Sequence, residues 1–423
     1  MNKPPVRTKW YLRPLTYLLS LPDILKHKVK ITKIGTEDLK APYLLLCNHN
    51  AFMDFKVATK TIYPQRANYV VAIDGFIGRE QLLRDVGCIC KRKFTSNISM
   101  VRQLSRVMKN GDVAVIYPEA RYSLCGTTAV LPESLGKLCK NFRVPVVTLI
   151  CHGHHINSPF WNLHDRNVKP TEAEFKLLFT PEDLDRLTLD EVNRKLVEVF
   201  QYDEYAWQKQ RGIRVTYPGR AEGLHKVLYQ CPCCKTEFKM ASNGTTLYCE
   251  SCGAKWEYTE LGELEFQGDP SLLPDLPEGN SFSHIPHWYE WERANVKQEV
   301  EAGTYSSGLL KVYVNSLPNA DKFITLGEGT MVHDMNGFTV RGTDVDGDPF
   351  EMIKPVSSLY SCHIEYEYLG KFGDCVDLNT LTDTWYIYPE GSDFAVTKMA
   401  LATEELYFAY RRNKGKPCPP GLA

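Results

Sequence analysis

Between residues 40 and 150, short apolar runs alternate with helical patterns. Residues 43–47, 69–72, 113–117 and 144–150 read as buried strands. The segments after Asp54, around 80–85, and at 99–109 and 132–141 read as helices. Strands that alternate with helices need crossover connections, and crossovers lay neighbouring strands parallel. The expected fold is therefore an α/β domain with a largely parallel sheet. A further helix is predicted at 188–200, with Thr188 as its N-cap and Glu191 three residues on.

The pattern changes downstream, and 423 residues exceed one ordinary core. Residues 229–260 are rich in cysteine, and Pro, Gly, Asp and Ser dominate 268–283, which reads as a linker. A helix is expected at 288–301. From Tyr305 short strands recur, separated by Gly327-Glu328-Gly329, Asn336-Gly337 and Asp346-Gly347-Asp348, which are hairpin signals. An amphipathic helix follows at about 393–412. This last region resembles a pleckstrin-homology-like barrel: a mainly β domain capped by one helix. The expected division is a membrane-interfacial segment at 1–22, the α/β domain at 23–222, a zinc ribbon at 223–264, a linker and helix at 265–303, the β-rich domain at 304–413 and a tail at 414–423.

A net charge of −1 argues against a nucleic-acid partner, because backbone phosphates call for a clear basic excess. Five of the 14 cysteines lie between Cys231 and Cys252, and the rest are scattered. Without a convincing secretory signal, that spread reads as reduced thiols in a cytosolic compartment. No apolar run reaches the roughly 20 residues of a spanning helix. The N-terminus carries Lys3, Arg7, Lys9 and Arg13 with no acidic residue before Asp23, interleaved with Trp10, Tyr11, Leu12, Leu15, Tyr17, Leu18, Leu19 and Leu21. Such a segment suits a lipid interface. The alternative is a core-packing helix in two pieces, broken at Pro14.

Asn48-His49-Asn50-Ala51-Phe52-Met53-Asp54 follows the first strong strand. A His at the end of a loop and an Asp opening a helix can meet, and the carboxylate then fixes the imidazole tautomer. Such a pair can deprotonate a hydroxyl as it attacks a thioester carbonyl. The stretch resembles block one, Asn-His-x4-Asp, of the glycerolipid acyltransferase family, which includes the lysophosphatidate acyltransferases. Gly87-Cys88-Ile89-Cys90-Lys91-Arg92-Lys93 resembles block two. Tyr117-Pro118-Glu119-Ala120-Arg121-Tyr122-Ser123 resembles block three, Phe-Pro-Glu-Gly-Thr-Arg-Ser, and Val144-Pro145-Val146-Val147 resembles block four. The resemblance covers roughly residues 10–215. It implies that His49 and Asp54 are catalytic and that Asn48, Arg92, Lys93, Glu119 and Arg121 meet the substrate. Two departures stand out: Lys93 occupies the Arg position of block two, and Ala120 stands where the family has Gly. Cys151-His152-Gly153-His154-His155 follows block four, with a spacing that suits no standard zinc site.

Cys231-Pro232-Cys233-Cys234 and Cys249-Glu250-Ser251-Cys252 form two Cys-x2-Cys knuckles. Cys231, Cys234, Cys249 and Cys252 should hold a structural zinc, with Cys233 as a spare thiol. The charge around the knuckles is balanced, which favours an interdomain or protein–protein spacer.

The resemblance implies transfer of a fatty acyl chain from acyl-CoA or acyl carrier protein to the hydroxyl of a lysophospholipid, lysophosphatidate first. The protein would lie peripherally on the inner face of a membrane, with membrane lipid as its partner. Glycerol 3-phosphate or a glycolipid is the alternative acceptor, and a non-catalytic zinc-ribbon scaffold is the alternative from another class.

Overall fold

A computed structural model describes residues 3–95, 98–370 and 372–416. The expected tail lies outside the described residues from position 417 on. The N-terminal half is built on a seven-stranded sheet of β1 (Lys30–Ile34), β2 (Leu44–Cys47), β3 (Ala67–Ala72), β4 (Cys88–Lys91), β5 (Val113–Ile116), β6 (Val146–His152) and β7 (Glu172–Phe179). The spatial order is β1-β7-β6-β2-β5-β3-β4. The sheet is mixed, because β6 and β7 pair antiparallel while the other neighbours run parallel. Side chains alternate across a strand. Leu45 therefore joins the core on one face with Val57, Val115 and Val147, while Leu44 and Leu46 join the other with Leu104, Ile116 and Leu196. With both faces covered, β2 and β5 are buried throughout, which is why they read as continuous apolar runs.

The helices of this half are α1 (Leu12–Lys26), α2 (Met53–Ile62), α3 (Glu80–Val86), α4 (Ile98–Lys109), α5 (Ser134–Phe142), α6 (His154–Asn157), α7 (Pro181–Arg186), α8 (Leu189–Phe200) and α9 (Glu204–Arg211). The Thr188–Glu191 capping box forms as the sequence predicts. The break at Pro14 that the core-packing alternative called for does not occur: α1 is one helix. Pro14 lies in its first turn, where an amide has no intrahelical acceptor to lose. Leu12, Ser20 and Ile24 face inward, while Leu15, Leu18, Leu19 and Leu25 are exposed.

The cysteine-rich module is a four-stranded antiparallel sheet of β8 (Met240–Asn243), β9 (Thr246–Cys249), β10 (Lys255–Tyr258) and β11 (Leu264–Phe266). Its Trp256 is buried against Trp288 of α10 (Ile285–Glu301), with ring centroids 4.8 Å apart. The C-terminal sheet comprises β12 (Leu310–Ser316), β13 (Ile324–Asp334), β14 (Gly337–Thr343), β15 (Pro349–Pro355), β16 (His363–Glu365), β17 (Cys375–Asn379) and β18 (Thr384–Pro389). Its order is β15-β14-β13-β12-β18-β17-β16, and α11 (Val396–Asn413) closes the chain. One apolar cluster links Trp161 and Tyr205 of the first half, Trp256 of the module, Trp288 of α10, and Val314 and Leu401 beyond it. The three parts therefore share a core.

Candidate active site

His49 and Asp54 meet where β2 runs into α2. His49 Nδ1 lies 3.4 Å from Asp54 Oδ2. The same oxygen accepts the backbone N–H groups of Asn50 at 2.6 Å and Ala51 at 2.9 Å. Asp54 thus closes the loop that carries His49 onto the first turn of α2, which suits a carboxylate at a helix start. Asp54 is fully buried, while the His49 side chain is 23% exposed. Burial pushes Asp54 up, but hydrogen bonds from His154 and His49 outweigh it and bring it down to about 2. The carboxylate is therefore ionised at neutral pH. With Nδ1 turned to Asp54, Nε2 is the imidazole nitrogen open to a hydroxyl.

The Tyr117–Ser123 loop cradles this histidine. The His49 N–H donates to Glu119 Oε1 at 3.0 Å, and its carbonyl accepts from the Ser123 N–H at 2.9 Å. The ring sits between Tyr117 and Tyr122, with centroids at 4.3 and 4.4 Å. Glu119 is fully buried and also accepts the Ala129 N–H at 2.8 Å, and the Tyr202 hydroxyl lies 3.2 Å from Oε2. Burial pushes its carboxyl up to about 8. Its contacts make Glu119 a brace for the His49 backbone. Ala120 follows in the left-handed region at φ 57°, a conformation that glycine takes without strain.

The strand ends β2 and β6 are locked side by side. The Asn48 side chain accepts from Cys151 N–H at 2.8 Å and donates to its carbonyl at 2.9 Å. Asn48 therefore positions the backbone beside His49. Beyond β6 the chain turns at Gly153, where an added Cβ would meet Thr171 and Trp207 at 3.0 Å. Glu204 Oε2 accepts the Gly153 N–H at 2.7 Å, and its Oε1 faces His152 Nδ1 at 3.2 Å. The turn delivers His154 to Asp54, with Nδ1 2.6 Å from Oδ1. From the sequence alone the histidine run suggests pocket lining or loop structure, and nothing there points to Tyr202 or Glu204. The one available signal was that the run follows a strand belonging beside β2.

The three expected cations are engaged elsewhere. Arg92 is buried and donates to Leu317 O at 2.8 Å, Pro318 O at 2.7 Å, Thr382 O at 2.8 Å and Thr384 Oγ1 at 2.5 Å. Arg121 donates to Glu404 at 2.8 Å and to Cys362 O at 3.2 Å. Glu404 in turn binds Arg293 at 2.7 Å. The expectation that Arg92 and Arg121 meet the substrate is thus not matched by this geometry, since both guanidinium groups are turned into the C-terminal sheet and helix. Lys93 lies 2.8 Å from His363 Nε2, 3.8 Å from Glu365 and 3.9 Å from Asp377. Burial works to lower Lys93, but Asp74, Glu365 and Asp377 outweigh it and hold its pKa above the ordinary value. His363, Glu365 and Asp377 converge closely enough to hold a cation, and the Lys93 ammonium adjoins them.

The basic N-terminus is paired as well. Lys3 binds Glu80, Arg7 binds Asp112 and Lys9 binds Asp85, each at 2.8 Å, and Arg13 donates to Pro64 O. These residues tie the segment to the domain, leaving Trp10, Tyr11 and the outward leucines of α1 exposed. Exposed Phe52, in the His49–Asp54 loop, continues that apolar surface: Lys56 lies over its ring and pairs with Asp23 of α1. Among the described residues no helix is long and apolar enough to cross a membrane.

Cys231, Cys234, Cys249 and Cys252 converge, with all sulfurs within 4.8 Å of one another. A tetrahedron with Zn–S bonds of about 2.3 Å has sulfurs about 3.8 Å apart. The Cys231–Cys252 and Cys234–Cys249 separations are both 3.7 Å, so this set fits a tetrahedral metal. Each knuckle ends alike: Lys235 N–H reaches Cys231 O at 2.8 Å, and Gly253 N–H reaches Cys249 O at 2.9 Å. Cys233 lies outside the set.

A family model described as Acyltransferase matches residues 29–152, which hold β1 to β6 and every block residue named above. Among solved structures the chain is similar to the 1-acyl-sn-glycerophosphate acyltransferase PlsC of Thermotoga maritima, with 16% identity over 45% of this chain and 76% of that one and a TM-score of 0.35. No curated protein matches it.

Proposed function

We propose that the protein transfers a fatty acyl chain from acyl-CoA or acyl carrier protein to the hydroxyl of a lysophospholipid at a membrane surface. The observation that carries this reading is a partly exposed His49 backed by a buried, ionised Asp54 within a segment that matches the acyltransferase family model. In the proposed reaction His49 Nε2 takes the acceptor's hydroxyl proton as that oxygen attacks the thioester carbonyl. The C–S bond breaks, the ester forms, and the thiolate leaves with the proton held on the imidazole. Asp54 holds the tautomer and stabilises the imidazolium. The apolar face of α1 with Phe52 supports a peripheral membrane site. The acceptor's acyl chain, at about 0.8 kcal/mol per methylene, keeps that substrate in the bilayer.

Lysophosphatidate is the leading acceptor on family grounds. A second reading, a glycolipid without a phosphate monoester, is favoured by the engagement of Arg92 and Arg121 and by the carboxylates around Lys93. The four thiolates would hold a structural zinc. The strand order of the C-terminal sheet and its closing helix support the pleckstrin-homology-like reading. The deciding experiment is acyl transfer from acyl-CoA and from acyl carrier protein to a panel of lysophosphatidate, glycerol 3-phosphate and an uncharged monoacyl glycolipid. Absence of transfer to every acceptor by zinc-replete protein on vesicles would reject the enzyme reading in favour of a scaffold.

A further inference from the structure

The catalytic carboxylate serves two imidazoles. Asp54 Oδ2 takes the His49 contact and two backbone amides, while Oδ1 faces His154 Nδ1 at 2.6 Å. His154 is 1% exposed, and its Nε2 is buried without a hydrogen-bond partner. A buried polar ring with one nitrogen unsatisfied is costly where an apolar side chain would pack freely. The polar contact that stands against that cost is the one to Asp54. The surroundings hold the contact in place. Glu204 grips the Gly153 and His155 amides, at 2.7 and 3.2 Å, and Asn48 clamps Cys151 to the chain that leads into His49.

We propose that His154 is a positioning residue of the acyl-transfer centre, acting through Asp54 on His49. This rests on the reading of His49 and Asp54 as the catalytic pair. The His154 Nδ1–H fixes the rotation of the carboxylate, so that Oδ2 stays in the plane where it meets His49. It also supplies a donor to an anion that burial would otherwise neutralise. His154 makes no contact with the substrate and exchanges no proton with it. The 3.4 Å separation between His49 and Asp54 is long for a hydrogen bond, and a carboxylate already locked by a second imidazole lets that bond tighten without swinging away.

The test uses the full-length, zinc-loaded protein and three variants. His154→Asn places an amide N–H close to the Nδ1 position, His154→Gln places one at the Nε2 position, and His154→Leu has none. In His154→Leu, kcat should fall roughly 10–100-fold with the KM for donor and acceptor within about threefold, by analogy with lost supporting groups elsewhere. His154→Asn should recover most of kcat, and His154→Gln should stay low. Proton NMR of protein labelled with 15N-histidine reads the His49 Nδ1–H without any substrate. Its downfield signal should disappear in Asp54→Asn and in His154→Leu and return in His154→Asn. A folded His154→Leu with kcat within twofold of wild type would overturn the proposal, as would a Gln variant as active as the Asn variant. If wild type transfers acyl groups to no acceptor, the functional reading fails. The NMR comparison then decides alone: an unchanged His49 signal in His154→Leu overturns the positioning role, and its loss upholds it.

Discussion

Ala120 holds a left-handed backbone in the loop that cradles His49, at a cost of about 1 kcal/mol for any residue with a Cβ. Ala120→Gly should therefore raise the unfolding free energy by about that much, read as a higher urea midpoint at unchanged slope. In the same loop Glu119 titrates near 8 in the folded chain, against about 4.3 unfolded. The folded state then binds the proton more tightly, so Glu119 contributes stability below pH 4 that is lost as pH rises to about 8. Glu119→Gln should flatten the fall of stability with pH across that window, and urea titrations at pH 4.5 and 8 measure it. At the proposed catalytic pair, His49→Ala should abolish acyl transfer with the fold intact. Asp54→Asn should lose roughly 10²–10⁴-fold in kcat through the wrong tautomer. These two residues were legible because five positions of chain and a strand–helix junction bring them together. His154, Tyr202 and Glu204 were not, because their contacts join positions about 50–100 residues apart, and only the fold makes them.

Strands and helices of the first half were readable because burial on both faces leaves an unbroken apolar signature, as in β2 and β5. Helix α1 has no break at Pro14, since a proline in the first turn has no intrahelical hydrogen bond to remove. Its charges were read as facing lipid, whereas the structure pairs Lys3, Arg7 and Lys9 with carboxylates of the domain. The consequence is measurable. Association with vesicles should depend on apolar contact, so Leu18→Ser with Leu19→Ser should release the protein from vesicles. Raising salt from 0.05 to about 0.5 M, which shortens the screening length several-fold, should change binding little. A steep salt dependence would restore the electrostatic reading. In the cysteine module, matched knuckles and 3.7 Å sulfur separations predict one zinc per chain. Metal analysis should find it lost in Cys249→Ser with Cys252→Ser and kept in Cys233→Ser.

The expected division into domains comes from composition, which carries no sign of how the parts hold one another, because no local pattern marks a partner more than 200 residues away. Arg92 shows the difference: its position after β4 suggests a ligand cation, and its neighbours Leu317, Pro318, Thr382 and Thr384 appear only once the C-terminal sheet is in place. Removing its side chain leaves several buried acceptors without donors, at about 1–3 kcal/mol apiece when no water replaces them. The same buried clamp gives the chain an unusual tolerance. The segment at 268–283 that joins the cysteine module to α10 is largely exposed and has little regular structure. A protease should nick it first, yet Arg92, Arg121 and the buried cluster shared by the three parts, Phe282 apart, lie outside it and remain intact. The cut protein should elute from a sizing column as one particle and separate into two fragments only in denaturant. In that respect the polypeptide would behave as a heterodimer that happens to be synthesised in one piece.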